Sequence, residues 1–225
     1  MAVSEHLQIQ LITFNRAGQL DHTLGCLHDS PFAGCRICVL DNCSEDDTPA
    51  VCARWRERFA DFEVVRHRRN IGGNANLLRA EELSEGTYTW ILADDDFYDF
   101  ADCDDVLREL EAGEVDLICV GGAREGWARV GRLVGALSAP GKRFWWTVAF
   151  LPSMIFRTQL WDSEAVSEGY RLTNDLFPHF AFYRRQVERD AAVHVSRRVL
   201  VLRAAIRGCR PVRCTGCAAG RAAAA

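Results

Sequence analysis

The sequence lacks the features that mark secreted, membrane-spanning and nucleic-acid-binding proteins. Met1 to Gln10 has no basic start and no long apolar stretch, so it does not resemble a signal peptide. The longest almost uncharged apolar run, Phe144 to Phe156, is too short to span a bilayer and contains Pro152. The net charge of −4 gives no electrostatic argument for nucleic acid. These absences predict a cytoplasmic protein with no nucleic-acid partner.

Disulfide bonds are not expected, although the chain has ten cysteines. Without a secretion signal, cysteines are usually reduced, small core residues. Cys35 and Cys38 have C-x-x-C spacing but lie on a predicted strand, where they would face opposite sides. Cys209, Cys214 and Cys217 could bind zinc only with a fourth ligand, and none is evident.

Length and composition fit one globular domain of 225 residues, 48% apolar and 26% charged. From residue 7 to residue 93, apolar runs typical of buried strands alternate with helical patterns. This alternation predicts an α/β fold with an open, mostly parallel sheet flanked by helices. The predicted strands are residues 7–14, 36–40, 62–66 and 87–93.

The second half of the chain has a less regular pattern. A helix is predicted over Ala101–Ala112 and a strand over Val115–Val120. Thr173–Arg185 is predicted as a helix that Pro178 interrupts, and Ala192–Leu202 is predicted as a late strand.

Polar residues follow each of the first four predicted strands. They are Asn15-Arg16, Asp41-Asn42, Arg69-Asn70 and the acid triplet Asp94-Asp95-Asp96. In open α/β sheets, ligands bind at the carboxyl ends of the strands. The sequence therefore predicts one ligand site at this edge. Glycine-rich phosphate loops of the G-x-G-x-x-G or Walker type are absent, and Gly72-Gly73 is interpreted as a tight turn.

The acid triplet needs either a cation or open water to offset its charge. Mg²⁺ and Mn²⁺ take oxygen ligands and are often held by one or two carboxylates together with substrate phosphates. Asp94 and Asp96 would share a face if strand geometry continued, which makes them the candidate metal ligands. The alternative is a solvated acidic turn.

Four segments resemble the family-2 glycosyltransferases of the GT-A fold. They are Ile12–Arg16, Val39–Thr48, Arg69–Asn76 and Ile91–Asp96, in the family's order. The resemblance is strong over residues 7–100 and weak in the second half. It implies inverting transfer of a sugar from a nucleotide-sugar to a hydroxyl in a bacterial surface glycan or secondary metabolite. The Gln-x-x-Arg-Trp motif of processive members is absent, which favours transfer of a single sugar.

The resemblance also assigns the donor site. It implies that the backbone of Thr13 and Phe14 flanks the base and that Asp41 accepts from the imide N–H of uracil or thymine, favouring UDP or dTDP sugars. Arg16 and Arg69 would reach phosphate oxygens. Asp41 could instead cap a turn, the arginines could be surface residues, and the asparagines could be caps. The full set is Thr13, Phe14, Asn15, Arg16, Asp41, Asn42, Arg69, Asn70, Asn76, Asp94 and Asp95, with Asp94 and Asp96 for Mg²⁺ or Mn²⁺.

An inverting transfer needs a base that takes the proton of the attacking hydroxyl. Asp175 is the candidate, and the alternative is a helix N-terminal acid. His179 would share a helical face with Asp175 if the helix continued through Pro178. It is predicted as a metal ligand, a base or an acceptor contact, or else as a packed residue. Rival bases are Asp162, Glu164 and Glu168.

The resemblance divides one domain into residues 1–100, a nucleotide-sugar-binding half, and residues 101–203, an acceptor-binding half. Residues 204–225 are predicted as a disordered or partly ordered tail. Trp145 and Trp146 could stack on an acceptor sugar or belong to the core.

The acceptor is expected to be a saccharide, a lipid-linked sugar or a small molecule with a hydroxyl group. The tail's arginines suggest peripheral contact with the inner face of a membrane. Two other functions stay open. One is a catalytically inactive nucleotide-sugar-binding homologue. The other is a sugar-phosphate nucleotidyltransferase, whose glycine-rich loop after the first strand is not found here.

Overall fold

A computed structural model describes residues 6–121, 131–138, 148–175 and 177–202. The strands are β1 Leu7–Thr13, β2 Arg36–Asp41, β3 Phe62–Arg66, β4 Tyr88–Ala93, β5 Phe97–Tyr98, β6 Leu117–Cys119, β7 Gly131–Arg132, β8 Met154–Arg157, β9 Ala192–Val195 and β10 Val201–Leu202. The α-helices are α1 Ala17–His28, α2 Thr48–Arg56, α3 Gly73–Glu82, α4 Asp104–Ala112, α5 Leu133–Ser138, α6 Ser163–Arg171 and α7 Phe180–Glu188.

The main sheet has the strand order β3-β2-β1-β4-β8-β6-β9-β7. Strands β1 to β4 are mutually parallel, whereas β8 runs antiparallel to both β4 and β6. The second half adds one more parallel pair, β6 with β9, and the antiparallel edge strand β7. The predicted open α/β sheet flanked by helices is confirmed as a mixed sheet, in which three of the four parallel pairs among the described strands join strands of the first half of the chain.

The central strands consist mainly of apolar residues because helices cover both of their faces. Two buried glutamines of β1 are exceptions with a structural use. The Gln8 side-chain oxygen accepts hydrogen bonds from the backbone N–H groups of Glu85 and Gly86, at 2.7 and 3.0 Å. The Gln10 amide donates to the Ser84 hydroxyl at 3.2 Å. The turn before β4 is thereby fixed to the middle of the sheet.

Two hydrophobic clusters lie on opposite faces of the sheet. One contains apolar residues of α1, α2 and α4, and the other contains those of α3, α5, α6 and α7. Cys35 belongs to the first cluster and Cys38 to the second, as their spacing predicts. Both thiols are free, and burial raises the pKa of each to about 12. They are therefore unreactive core residues, which confirms the prediction for this pair.

Two predicted elements are wrong in extent. The helix predicted over Thr173–Arg185 begins only at Phe180, because Pro178 lacks a backbone N–H and disfavours helical angles in the residue before it. The single late strand is instead β9 and β10, which belong to different sheets. Between them the Ser196 hydroxyl accepts from the Arg198 N–H at 3.2 Å, which turns the chain.

Trp145 and Trp146 lie outside the described residues, and so do the tail cysteines and residues 204–225. Within the described ranges, no helix combines the length and the apolar character that a membrane crossing requires.

Candidate donor-binding site

The loops after β1, β2, β3 and β4 meet at the carboxyl edge of the parallel strands. The Asn42 N–H donates to the Thr13 carbonyl at 3.0 Å, and the His67 N–H donates to the Asp41 carbonyl at 2.9 Å. The Thr13 hydroxyl donates to Asp94 Oδ2 at 2.6 Å. The structure therefore brings together the predicted clusters of all four loops.

Asp94 is the most enclosed acid of the triplet, with 4% of its surface exposed. Besides Thr13, its carboxylate accepts from Arg16 Nη1, which lies 3.1 Å from Oδ1. The Thr23 hydroxyl of α1 donates to the Asp94 carbonyl at 3.3 Å. Burial raises the pKa of the Asp94 carboxyl, and the Thr13 hydrogen bond and the Arg16 charge offset this only in part. The site therefore favours additional positive charge next to Asp94.

Asp95 and Asp96 differ in their surroundings. Asp95 is exposed and forms an ion pair with Arg16, whereas Asp96 is buried with 8% exposure. Strand β4 ends at Ala93, whose carbonyl accepts from the Tyr98 hydroxyl, and the triplet continues as a turn. Burial still alternates along the triplet as predicted, with Asp94 and Asp96 inside.

The residue types suit a hard divalent cation, since two buried carboxylates, Asp94 and Asp96, belong to one turn at the ligand edge. Within the described part of the chain, no group of three or more His, Cys, Asp or Glu side chains is arranged to hold a metal. Asp94 and Asp96 therefore fit an ion that takes its other ligands from substrate phosphates and water, rather than one enclosed by protein.

Asn15 connects the first two loops. Its backbone has φ of +52°, a left-handed conformation that asparagine tolerates. Its N–H donates to the Ser44 hydroxyl at 2.9 Å, and its side-chain oxygen accepts from the Glu45 N–H at 2.7 Å. Asp46 accepts from the Ala17 N–H at 2.9 Å. The Asn15 side chain thus serves the loop framework.

Asp41 is almost fully buried, with 1% exposure. Its Oδ1 accepts from the Ser44 N–H at 2.8 Å, so the predicted turn cap is present. Its Oδ2 lies 3.5 Å from Nε of Arg66, and Nη2 of Arg66 donates to the Ser44 carbonyl at 2.7 Å. Sequence reasoning missed Arg66 and Ser44. The available signal was that Arg66 ends β3, which places it at the same edge as Asp41.

Three predicted asparagines hold this edge together. The Asn42 amide donates to Asn70 Oδ1 at 2.9 Å, and its oxygen accepts from the Ile71 N–H at 2.9 Å. Asn70 also caps the turn at Gly72, which has φ of +88°. Asn76 donates to the Leu40 carbonyl at 3.2 Å and is 2.8 Å from the His67 ring nitrogen. These side chains join the loops after β2 and β3 to each other and to β2.

Two predicted residues remain available at the surface of the edge. Phe14 is 40% exposed directly after Thr13. Arg69 is exposed and makes no hydrogen bond or ion pair with the described residues. A guanidinium group in such a position is free to meet a phosphate.

Asp175 and His179 do not share a helical face, contrary to the prediction. Asp175 lies in the exposed turn between α6 and α7, and His179 is the N-cap of α7. The turn is held to the donor edge by Asn74 in the first turn of α3. Its amide donates to the carbonyls of Thr173 and Asp175, at 2.9 and 2.7 Å. Asn74 was missed because its partners are backbone atoms about a hundred residues away.

His179 is a packed residue in this structure. It is 4% exposed, and its ring contacts those of Phe177, Phe180 and Tyr183. Nε2 lies 3.3 Å from the Ala149 carbonyl, and Nδ1 is buried without a partner. Burial lowers the pKa of His179 to about 4, so the ring is neutral at physiological pH.

The rival acids are occupied elsewhere. Asp162 caps α6 through the Ala165 N–H and pairs with Arg185 at 2.6 Å. Glu164 also pairs with Arg185, at 2.7 Å, and Glu168 pairs with Arg184 at 2.7 Å. Of the four candidate acids, Asp175 alone has no ion pair among the described residues.

Several solved protein structures are similar to this chain. TarS 1–349 of S. aureus has a TM-score of 0.64 and 18% sequence identity, and the match covers 85% of this chain and 58% of the TarS chain. TarS 1–349 was also solved in complex with UDP and with UDP-GlcNAc. The mannosyltransferase PcManGT of Pyrobaculum calidifontis, in complex with GDP-Man and Mn²⁺, has a TM-score of 0.63 and 14% identity, covering 90% and 57%.

Glucosyl-3-phosphoglycerate synthase of Mycobacterium tuberculosis, solved with Mn²⁺, UDP and glucosyl-3-phosphoglycerate, has a TM-score of 0.53 and 15% identity, covering 92% of this chain and 73% of its own. The chain spans just over half of the TarS and PcManGT chains, at 58% and 57%. The comparison with curated proteins gave no match.

The family comparison agrees with the architecture. The model of glycosyl transferase family 2 matches residues 9–191, which include all four loops of the carboxyl edge and the turn of Asp175. The chain therefore belongs to glycosyl transferase family 2 and has the GT-A fold.

Proposed function

We propose that this protein is an inverting, metal-dependent glycosyltransferase. It moves one sugar from a nucleoside-diphosphate sugar, with UDP or dTDP favoured, to a hydroxyl acceptor in a bacterial surface glycan or secondary metabolite. The observation that carries the proposal is the buried Asp94 carboxylate, held by Thr13 and Arg16 beside Asp96 at the ligand edge of a family-2 chain.

The solved relatives support a nucleotide-sugar donor and a divalent ion. Their descriptions name UDP, UDP-GlcNAc or GDP-Man, and two of the three proteins were solved with Mn²⁺. The preference for UDP or dTDP rests on the resemblance of Asp41 to the family carboxylate and on the contacts of that carboxylate in this chain. Asp41 uses Oδ1 for the Ser44 N–H, and Oδ2 is the atom left to accept from an imide N–H.

Asp96, with Asp94, would hold the Mg²⁺ or Mn²⁺ ion. When bound, the ion supplies positive charge at the diphosphate leaving group. Arg69 binds phosphate oxygens from the opposite loop, and Phe14 and the Thr13 backbone flank the base. Arg16 keeps Asp94 ionised and oriented through its contact with Oδ1.

Asp175 is the proposed catalytic base. Its carboxylate takes the proton of the acceptor hydroxyl while the acceptor oxygen forms a bond to the anomeric carbon. The bond from that carbon to the diphosphate oxygen breaks, and the nucleoside diphosphate leaves with the electron pair. Asn74 positions the Asp175 backbone against the donor edge through its bond to the Asp175 carbonyl at 2.7 Å.

One observation favours the alternative of an inactive nucleotide-sugar-binding homologue. Arg16 forms ion pairs with both Asp94 and Asp95, so a guanidinium already neutralises part of the triplet. In that case a nucleotide would bind without depending on a metal, and no sugar would be transferred.

The test is calorimetric titration with UDP and dTDP, with and without Mn²⁺, followed by a screen of UDP sugars for release of UDP. Asp96→Ala is the test variant, and Glu45→Ala, an exposed acid on the same edge, is the matched control. Metal-dependent binding that Asp96→Ala loses and Glu45→Ala keeps supports the proposal. Binding without metal and without turnover supports the inactive homologue. A folded protein that binds no nucleoside diphosphate overturns both.

A further inference from the structure

A cavity of about 570 Å³ lies between α5, α6 and α7 in the second half of the chain. Its volume is within the range of sites that enclose small organic molecules. Its lining residues belong to α5, the last turn and C-cap of α6, and α7, together with Val148. The described apolar lining residues are Leu133, Leu137, Val148, Leu172, Phe180, Ala181, Tyr183 and Val187.

The charged residues of this cavity form ion pairs with one another. Arg184 pairs with Glu168 at 2.7 Å and with Glu188 at 3.1 Å. All three line the cavity, and together they carry one net negative charge. A phosphate or carboxylate ligand would meet no unpaired cation there. The lining therefore selects an uncharged, apolar occupant.

The cavity begins beside the turn that carries the proposed base. Leu172 and Phe180, both lining residues, flank this turn on its two sides. Phe177 within the turn is 36% exposed and stacks on Phe180, with ring centroids 5.1 Å apart. Apolar surface therefore continues from the turn of Asp175 into the cavity. From Phe180 to Glu188 the axis of α7 extends for roughly 12 Å at 1.5 Å per residue, so the cavity has room for an elongated body.

We propose that this cavity binds the apolar body of the acceptor, an aliphatic or aromatic group attached to the hydroxyl that receives the sugar. The proposal rests on the proposed function, because it places the acceptor hydroxyl near Asp175 while its apolar part lies along α7. An alkyl chain and an aromatic ring share the required chemistry, and the experiment separates them.

The experiment measures fluorescence of the neutral probe N-phenyl-1-naphthylamine bound to the full chain without any nucleotide, and its displacement by glucosides. Leu137→Trp fills the cavity from α5. Val134→Trp adds the same ring to the same helix at a position that is 40% exposed and does not line the cavity. Val187→Phe fills the cavity from α7 and serves as a second variant if Leu137→Trp does not fold.

We expect the wild type to bind the probe and the filling variant to bind about tenfold more weakly, with Val134→Trp within about twofold of wild type. Octyl glucoside or phenyl glucoside should displace the probe, whereas glucose should not. Displacement by octyl glucoside alone assigns an aliphatic acceptor, and displacement by phenyl glucoside alone assigns an aromatic one. Unchanged probe binding in the folded filling variants, or no displacement by either glucoside, overturns the proposal.

These outcomes are independent of the donor site. Nucleotide binding is measured separately by calorimetry, so loss of the acceptor proposal with UDP binding intact leaves the proposed function standing. Intact UDP binding in Leu137→Trp also shows that the substitution has not disturbed the donor edge.

Discussion

The donor edge and the α7 side of the second half differ in whether their buried polar groups have hydrogen-bond partners. At the donor edge, buried Thr13, Asp41, Asn42 and Asp94 all have hydrogen-bond partners in neighbouring loops. Near α7, several buried polar atoms have no hydrogen-bond partner among the residues that the structure describes. They include both oxygens of Glu81, the Tyr183 hydroxyl, the Gln186 amide, the Trp161 N–H and Nδ1 of His179.

The two regions are therefore stabilised by different interactions. The donor edge is rigid before ligand arrives, because its side chains fix one another and the loop backbones. The α7 side is held by apolar burial, and its unpartnered polar atoms imply internal water or neutral protonation states. Under the proposed function, a polar donor would bind to a surface formed before it arrives, and an apolar acceptor group would bind in a cavity lined by helix side chains.

The largest predicted effect comes from removing the charge that distinguishes the donor edge. Asp96→Asn should lower kcat by about 10²–10³-fold, since charge stabilisation at a leaving group contributes several kcal/mol. The free energy of unfolding of the variant is compared with that of the wild type, so that a loss of folded protein is not mistaken for a loss of activity. Steady-state kinetics and urea unfolding measure the two quantities. A fall in activity that only follows lost stability would contradict the assigned role.

The second prediction concerns Asn74, whose side chain links the donor edge to the turn of Asp175. Asn74→Ala removes both side-chain bonds to the turn of Asp175, so we expect kcat to fall about tenfold through misplacement of the base. The Kd for UDP should stay within about twofold, since within the described residues the Asn74 side chain makes its hydrogen bonds to the turn of Asp175 and none to the four loops. Asn74→Asp keeps the size but cannot donate, and should behave like alanine. Asn174→Ala, an exposed amide in the same turn, should be silent. Equal losses in Asn174→Ala would show that the turn tolerates no change at all.

The two regions also differ in how far the sequence predicts them. The strands of the parallel half and the ligand edge follow from apolar runs that end in polar clusters, since parallel strands bring their carboxyl ends together. Asn15 and Asn76 lie at the predicted edge, but their side chains serve the framework. Composition cannot distinguish an amide that binds a ligand from one that binds a neighbouring loop.

The second half resisted prediction for a different reason. Strand β8 enters the sheet antiparallel between β4 and β6, a pairing set by tertiary packing rather than by its own four residues. The helix that Pro178 was expected to interrupt begins only at Phe180, so Asp175 and His179 do not lie on one helix. The cavity is formed by side chains from three helices, and no spacing in the sequence encodes such an arrangement.

The buried Glu81 carboxyl has no hydrogen-bond partner among the described residues, and this predicts an effect of pH on the free energy of unfolding. Burial raises the pKa of Glu81 well above its usual value. Tyr183 faces Glu81 from α7, with the Cys119 thiol nearby, and burial together with the Glu81 charge raises the pKa of that phenol well above its usual value. Glu81 therefore contributes stability that is complete below the unfolded pKa of about 4.3 and is lost as pH rises toward the folded pKa.

The Glu81→Gln variant should therefore become more stable than the wild type as pH rises. Above the folded-state pKa of Glu81, the difference in unfolding free energy should be about 1.4 kcal/mol for each unit by which folding raises that pKa. Near pH 4 the two proteins should differ least. The adjacent Glu82→Gln is the matched control with the opposite sign. A hydrogen bond from Arg79 lowers the pKa of Glu82, so its loss should cost less than about 0.5 kcal/mol at neutral pH. Urea unfolding at several pH values measures both, and parallel curves for the two variants would refute the assignment.

The smallest predicted effect tests how tightly the donor edge is fixed. Arg66→Lys removes the fork that reaches both Asp41 Oδ2 and the Ser44 carbonyl, because an ammonium group cannot contact both as a planar guanidinium does. We expect the Kd for UDP to rise about threefold, since Arg66 is half exposed and its pairing with Asp41 is screened by water. Arg68→Lys, an exposed arginine two residues on, should leave the Kd unchanged. A rise above about thirtyfold would mean that Arg66 contacts the nucleotide itself, and no change would mean that Asp41 is fixed by Ser44 alone.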